Sequence, residues 1–88
     1  MNKTLAFKNQ GFDDYLYWQT QDRKTLKRIN LLVQDIDRNG HSGIGKPEAL
    51  KYDYQGWWSR RIDEEHRLVY RIEDNEIQVL SCRFHYSD

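Results

Sequence analysis

The stretch from Trp57 to Tyr70 constrains the fold of this chain more than any other segment does. Two runs rich in aromatic and β-branched residues flank a short acidic break, which is the pattern of an antiparallel hairpin. Arginines stand among the core-type residues of both runs, and a hairpin built only for stability would not need so many guanidinium groups. Because guanidinium is planar and permanently charged, it suits phosphate recognition. The stretch therefore predicts a hairpin that offers cations to an anion.

Size and composition place this hairpin in a single small domain spanning residues 1–88. The 14 basic and 14 acidic residues balance, so attraction to nucleic acid or to a membrane must come from local clustering. The only cysteine, Cys82, forms no internal disulfide, and no apolar run is long enough for a signal peptide or a membrane span. We expect a cytoplasmic protein with no membrane partner. The many aromatic residues serve either a compact core or a base-stacking surface.

A short strand and two helices are predicted before the hairpin. The strand covers residues 4–7, and the first helix runs from an N-cap at Asn9 to about Gln19, with Gly11 weakening its first turn. Helical spacing gives it one inward face made of Phe12, Tyr15, Leu16 and Trp18.

The second helix is capped by Asp22 and has the clearer pattern. Its apolar residues recur at spacings of three, four and three, at Leu26, Ile29, Val33 and Ile36. Its cations form either a solvated face or a contact with an RNA or ribosomal surface. Residues 39–47 then read as a flexible loop without a nucleotide-binding glycine pattern, and we expect His41 there to be exposed to solvent.

Four β-like runs follow, at residues 48–52, 57–62, 66–72 and 76–84. Helices followed by an antiparallel meander predict an α+β fold, in which two N-terminal helices pack on one face of a mostly antiparallel twisted sheet. The other face is expected to stay free. Trp57 and Trp58 point to opposite faces, so only one of them belongs to the core.

Alternation along the third run shows what the free face carries. Leu68, Tyr70 and Ile72 suit the helix side, which leaves Arg67 on the opposite side with Glu65 beside it. This pair is either an ordinary surface ion pair or part of a site. His66 is expected to be a salt-paired surface residue, and Cys82 a small core residue. No ligand spacing for zinc occurs.

The chain end adds His85 and Tyr86 to this surface, and Glu48 comes from the first run of the meander. A carboxylate base, a fixed cation and a proton donor suffice to cleave RNA without metal or cofactor. In this scheme Glu48 removes the proton from a ribose 2′-OH, Arg67 stabilises the phosphorane and His85 protonates the leaving 5′-oxygen. Tyr86 orients the phosphate or stacks on a base.

Several motifs occur in a fixed order: FDDYLYWQ at residues 12–19, the second-helix segment 24–30, GKPEALK at 45–51, GWWSRRI at 56–62, EEHRLVY at 64–70 and CRFHY at 82–86. In this order they resemble the YoeB family of bacterial toxins, within the RelE/ParE superfamily. Two departures stand out. Ala49 takes the place where the family commonly has a second proline, and Ser87 and Asp88 extend beyond the usual His-Tyr ending.

The resemblance implies the toxin of a type II toxin–antitoxin system, an mRNA interferase that cleaves messages in the A site of the 70S ribosome and so arrests translation. It also implies a homodimer and inhibition by a YefM-like antitoxin. The family's general base falls on Glu48, its phosphate-stabilising arginine on Arg67, its general acid on His85 and the adjoining tyrosine on Tyr86. Positions that support the site or contact RNA fall on Lys51, Arg61 and Glu65.

Two other functions stay open from the sequence. One is a non-enzymatic, ParE-like inhibitor that binds a protein such as DNA gyrase, although a pure binder needs no proton donor. The other is an inactive subunit that binds only its antitoxin and operator.

Overall fold

The computed structural model describes residues 1–84. The elements in chain order are β1 (Thr4–Phe7), α1 (Asn9–Gln21), α2 (Arg23–Asn39), β2 (Glu48–Ala49), a 3-10 helix (Tyr52–Tyr54), β3 (Trp58–Arg61), β4 (Arg67–Glu73) and β5 (Glu76–Ser81). The strands form one sheet in the order β1-β5-β4-β3-β2, in which only the β1–β5 pair is parallel among the described residues. The predicted α+β architecture, with both helices on one sheet face, is confirmed.

Helix α2 forms where the sequence predicts it. The Asp22 carboxylate accepts hydrogen bonds from the backbone N–H groups of Lys24 and Thr25, at 3.0 and 3.3 Å, and so caps the first turn. Three residues of the predicted apolar stripe, Ile29, Val33 and Ile36, are buried, as is Leu32 beside them, whereas Leu26 is partly buried and packs against the core. These residues meet the inner face of the sheet in one cluster, which contains Trp18, Ile29, Leu32, Val33, Ile36, Leu68, Tyr70, Ile77 and Val79.

Helix α1 differs from its predicted form. It begins after Lys8, so Asn9 lies in its first turn and is not the N-cap. Trp18 is buried as predicted, but Phe12 and Leu16 are 48% and 43% exposed. The face that packs inward carries Gly11 and Asp14 together with Trp18, and α1 comes closest to β5 at Gly11.

Gly11 and two hydrogen bonds to Cys82 account for the close approach of α1 to β5. A Cβ on Gly11 would stand 2.5 Å from the carbonyl oxygen of Val79, so only glycine fits at this point of α1. Asp14 accepts a hydrogen bond from the Cys82 backbone N–H at 3.0 Å, and Trp18 Nε1 donates to the Cys82 carbonyl at 2.8 Å. Both backbone groups at the end of β5 are thus held by α1.

The predicted hairpin is confirmed as β3 and β4, with Trp58 opposite Tyr70 and Arg61 opposite Arg67. The strand before it is shorter than the predicted run of residues 48–52. After Ala49 the Leu50 N–H still bonds to the Trp57 carbonyl, but the chain then turns into the 3-10 helix. Residues 48–49 alone therefore form the edge strand β2.

Arg60 lies at the centre of the core side of β3 and is fully buried. Its Nε donates to Tyr70 Oη at 3.2 Å, and Nη1 donates to Asp35 Oδ2 at 2.6 Å. The other three N–H groups bond to the backbone carbonyls of Gly40, Ser42 and Ile44, at 2.7 to 2.9 Å. All five guanidinium donors are satisfied, which offsets the large cost of burying a charge.

This arrangement corrects two predictions. The segment 39–47 was expected to be flexible, but three of its carbonyls are bound to the Arg60 side chain. The arginines of the hairpin were regarded as candidates for binding an anion, yet Arg60 is an internal structural residue. His41 in this segment is exposed as predicted, and its ring also stacks on Trp58 at 4.1 Å between ring centroids.

Replacing Arg60 with methionine should destabilise the fold by roughly 3–5 kcal/mol, because removing one partner leaves Asp35 and three carbonyls without their donors. The measurement is the midpoint of urea unfolding. Arg23→Met, which removes an exposed arginine from the start of α2, serves as the matched control and should change stability by less than about 0.5 kcal/mol. Equal midpoints for the two variants would contradict the role given to Arg60.

Acid should unfold the protein partly through Asp35. The hydrogen bond from Arg60 holds the pKa of this carboxyl below its ordinary value of 3.8. A carboxyl with a lowered folded pKa stabilises the fold fully above its unfolded pKa and loses that contribution as the pH falls through the folded pKa. We expect the urea midpoint to decrease as the pH is lowered below about 4. The decrease should be less steep for Asp35→Asn than for the wild type. An unchanged slope in that variant would disprove the linkage.

Candidate functional site

The sheet register places three of the predicted site residues on one face. Glu48 is opposite Ser59, Ser59 is opposite Val69, and Arg61 is opposite Arg67. Residues that face each other in an antiparallel pair, and residues two apart on one strand, project to the same side. Glu48, Arg61 and Arg67 therefore share the sheet face turned away from the helices, which we call the open face.

The spacing of Glu48 and Arg67 follows from the same register. Glu48 lies two strands from β4, and Arg67 lies two residues along β4 from the position level with Glu48. With about 4.8 Å between strands and about 3.4 Å per residue, their Cα atoms are roughly 12 Å apart. That separation leaves room for one phosphodiester between the carboxylate and the guanidinium.

Glu48 is brought to this face by the segment before it. Gly45 has a φ of +81°, and its carbonyl accepts a hydrogen bond from the Arg61 N–H at 2.6 Å. A Cβ at Gly45 would stand 2.9 Å from Leu32 Cδ2 and 3.1 Å from the Arg61 carbonyl oxygen. Only glycine allows both the positive φ and these close contacts. Gly45 therefore determines where the chain crosses β3 before it reaches Glu48.

The Arg67 guanidinium is held by the connection between β3 and β4. Its Nη1 donates to the carbonyl oxygens of Asp63 and His66, at 2.7 and 3.1 Å. The Asp63 carboxylate accepts from the backbone N–H groups of Glu65 and His66, at 2.9 and 2.7 Å, which folds the connection back on itself. The position of the Arg67 cation is therefore fixed by a turn stabilised by its own hydrogen bonds.

Arg61 and Arg67 are direct cross-strand partners. Two like charges in this position repel each other, which costs free energy in a sheet. An anion that accepts hydrogen bonds from both guanidinium groups removes that repulsion. The pair therefore favours binding of a phosphate at the end of β3 and β4.

Other cations and parts of the open face are already engaged. Arg71 lies over the Trp57 ring at 4.4 Å, and its Nε contacts Gln78 Oε1 at 2.7 Å and Glu73 Oε2 at 3.1 Å. Val69 is fully buried, so the expectation of a free face is wrong at this point. The candidate phosphate site is confined to the end of the sheet at Glu48, Arg61 and Arg67.

The remaining predicted residues have different outcomes. Glu65 was expected beside Arg67, but its carboxylate lies 3.5 Å from His66 Nε2 instead, because residue 65 belongs to the turn before β4 begins. Lys51 is exposed, at the start of the 3-10 helix. His85 and Tyr86 lie outside the described residues, as do Ser87 and Asp88.

Cys82 has the predicted core position. It is fully buried, and burial, with the nearby Asp14 carboxylate, raises the pKa of its thiol to about 12. A thiol with so high a pKa is not a nucleophile at neutral pH. In the part of the chain that the structure covers, no group of three His, Cys, Asp or Glu residues is placed to hold a metal ion. Nor is any helix within residues 1–84 long and apolar enough to cross a membrane.

Sequence reasoning missed the role of Arg60, which anchors the segment leading to Glu48. A signal was present, because Trp58, Arg60 and Ile62 alternate along β3 and so share the core face. The buried position of Arg60 was missed because a charged side chain is not expected on the core face of a strand.

Comparison with known proteins identifies the family of the chain. The family profile described as "YoeB-like toxin of bacterial type II toxin-antitoxin system" matches residues 7–86. Toxin YoeB of Synechocystis is 55% identical over 82 residues, which are 93% of this chain and 95% of that protein.

Two solved structures from Staphylococcus aureus are also similar. A YoeB dimer is 50% identical with a TM-score of 0.92, and a YoeB-YefM complex is 49% identical with a TM-score of 0.90. Each alignment covers 98% of this chain and 100% of the other. From the fold, the open face and these matches together, the chain belongs to the YoeB family of toxins of bacterial type II toxin–antitoxin systems.

Proposed function

We propose that this chain is a metal-independent endoribonuclease that cleaves mRNA in the ribosomal A site and so arrests translation. The observation that carries the proposal is the placement of Glu48 and the Arg61–Arg67 pair on one sheet face. A carboxylate and two guanidinium groups around one phosphodiester supply a proton acceptor and charge stabilisation. Family membership supports the same conclusion.

The reaction uses the ribose as the nucleophile. Glu48 takes the proton of the 2′-OH, and the 2′-oxygen forms a bond to the adjacent phosphorus. Arg67, with Arg61 beside it, stabilises the negative charge on the phosphorane oxygens. The bond from phosphorus to the 5′-oxygen then breaks as His85 donates a proton to that oxygen, and Tyr86 orients the phosphate. The products are a 2′,3′-cyclic phosphate and a 5′-hydroxyl.

The balanced charge of the chain gives a reason for acting on ribosome-bound RNA. With 14 basic and 14 acidic residues, no net charge attracts free RNA. Attack by the 2′-oxygen also requires that it lie in line with the leaving oxygen, and fixing such a geometry is a large part of catalysis. A message held in the A site is already ordered, so the ribosome supplies the alignment that the toxin lacks.

The regulation and assembly that we propose for this chain are inferred from the similar structures. The Staphylococcus aureus structures are of a YoeB dimer and of a YoeB-YefM complex. We extend both to this chain, as a cytoplasmic homodimer that a YefM-like antitoxin inhibits.

The first test is to map message ends in a cell-free translation reaction, with translating ribosomes and with naked RNA. Wild-type protein should cut only on ribosomes, while Glu48→Gln and His85→Gln should lose about 100-fold or more of the rate, which is typical for removing a general base or acid. His41→Gln is the control, since His41 lies on the helix side of the sheet, away from the open face. Full cleavage by His85→Gln would refute the assigned acid. Intact messages together with a supercoiling defect would favour gyrase inhibition.

A second test replaces the attacking group. A synthetic message with a 2′-deoxynucleotide on the 5′ side of the scissile phosphate should not be cut there, because it lacks the nucleophile. The all-ribose message should yield 2′,3′-cyclic phosphate and 5′-hydroxyl ends, measured by end-specific ligation and mass spectrometry. Cleavage of the deoxy message would exclude this mechanism.

A further inference from the structure

His66 stands between the helix side of the molecule and the proposed phosphate site. Its side chain is only 12% exposed, and its ring meets Trp18 edge-on at 4.9 Å between centroids. Its backbone carbonyl accepts from the Ile62 N–H at 3.0 Å, and its own N–H donates to Asp63. The contact of the ring with Trp18 and the hydrogen bonds of the His66 backbone therefore both fix the imidazole.

This fixed ring binds the chain end. Nδ1 of His66 accepts a hydrogen bond from the backbone N–H of Phe84 at 2.8 Å. The carbonyl of Phe84 accepts from the backbone N–H of Arg67, also at 2.8 Å. Both polar backbone groups of Phe84 are thus bound by two consecutive residues, one of which carries the phosphate-stabilising guanidinium.

The regular β5 pairing has ended before this point. Strand β5 stops at Ser81, and Phe84 has a φ of +63°, which a non-glycine residue adopts only when its surroundings hold it there. The two hydrogen bonds from His66 and Arg67 supply that restraint. They fix the backbone of Phe84, the residue that precedes His85 in the chain.

The bond also defines the protonation of the ring. Because Nδ1 accepts, it carries no hydrogen, and the neutral imidazole carries its proton on Nε2. Nε2 lies 3.5 Å from Glu65 Oε1, so the Glu65 carboxylate favours the same tautomer. This contact gives Glu65 a defined place beside the site.

We propose that His66 is a positioning residue: its Nδ1 holds the amide of Phe84, the residue before His85 in the chain, and proton donation by His85 depends on this hydrogen bond. This inference rests on the proposed nuclease function, in which His85 is the general acid. His66 does not touch the RNA. It fixes Phe84 relative to Arg67, whose backbone N–H binds the Phe84 carbonyl.

Two isosteric variants separate this role from packing. The amide oxygen of asparagine replaces Nδ1 as acceptor, whereas that of glutamine lies near the Nε2 position. His66→Gln should therefore lower the single-turnover rate of A-site cleavage about tenfold or more, within the range that a positioned acid contributes. His66→Asn should stay within about threefold of wild type. The half-saturating toxin concentration should not change in either variant, and both urea midpoints are measured to show that the fold is intact.

A modified message tests whether the loss passes through the general acid. If sulfur replaces the leaving 5′-oxygen, the departing thiolate needs no proton, because thiols are acidic near pH 8.5 whereas alcohols are not. The defect of His66→Gln should shrink to about twofold on this message, as should that of His85→Gln. A merely structural defect would be the same on both messages and would overturn the proposal.

The hydrogen bond itself is measured in folded protein with an intact His66. In the inactive Glu48→Gln background, nitrogen NMR should show the Nε2–H tautomer of His66, and the Phe84 amide should exchange slowly with solvent. The opposite tautomer or an unprotected amide would overturn the proposal even if both His66 variants failed to fold. If the wild type does not cleave, the proposed function fails. If it cleaves and His66→Gln matches it, only the positioning role fails.

Discussion

The buried guanidinium of Arg60 is the interaction on which the rest of the structure depends. A charge taken into the core is tolerated only when each of its donors finds an acceptor, and Arg60 achieves this with Asp35, Tyr70 and three main-chain carbonyls. The same bonds tie the end of α2 to β3, β4 and the segment between α2 and β2. Glu48 follows that segment directly. The position of the proposed base is thus determined by a charge on the other side of the sheet.

A second set of buried polar contacts secures the opposite end of the chain. Gly11 lets α1 approach β5, and there Asp14 and Trp18 hold both backbone groups of Cys82. His66 and Arg67 then hold Phe84. The segment that precedes Glu48 and the residues from Cys82 to Phe84, which precede His85 in the chain, lie outside the strands, and specific hydrogen bonds to neighbouring elements fix them. Their precision comes from the helices and the hairpin around them.

The regular elements were predictable because their signals are local. The cap and apolar spacing of α2 and the alternation in β4 each follow from neighbours in sequence, and the structure confirms both. The inward face of α1 was not predictable in this way, since a glycine and a carboxylate face the core only because β5 lies so close. The short β2 likewise depends on tertiary geometry, and so does the low exposure of His66, whereas its pairing with the adjacent Glu65 was predicted. Arg60 and His66 did obey strand alternation, and only their polarity argued against a core-side position.

Arg60 binds the segment from Gly40 to Ile44 through main-chain oxygens, apart from its contacts with Asp35 and Tyr70. Every amino acid carries such an oxygen, so most side chains in that segment make no contribution to the anchor. Substitutions of those side chains should therefore leave the anchor intact, apart from substitutions of Gly40 and Gly43, whose φ angles of +66° and +125° favour glycine. The side chains on the surface of this loop can therefore vary without loss of the backbone contacts that connect Arg60 to the segment before Glu48.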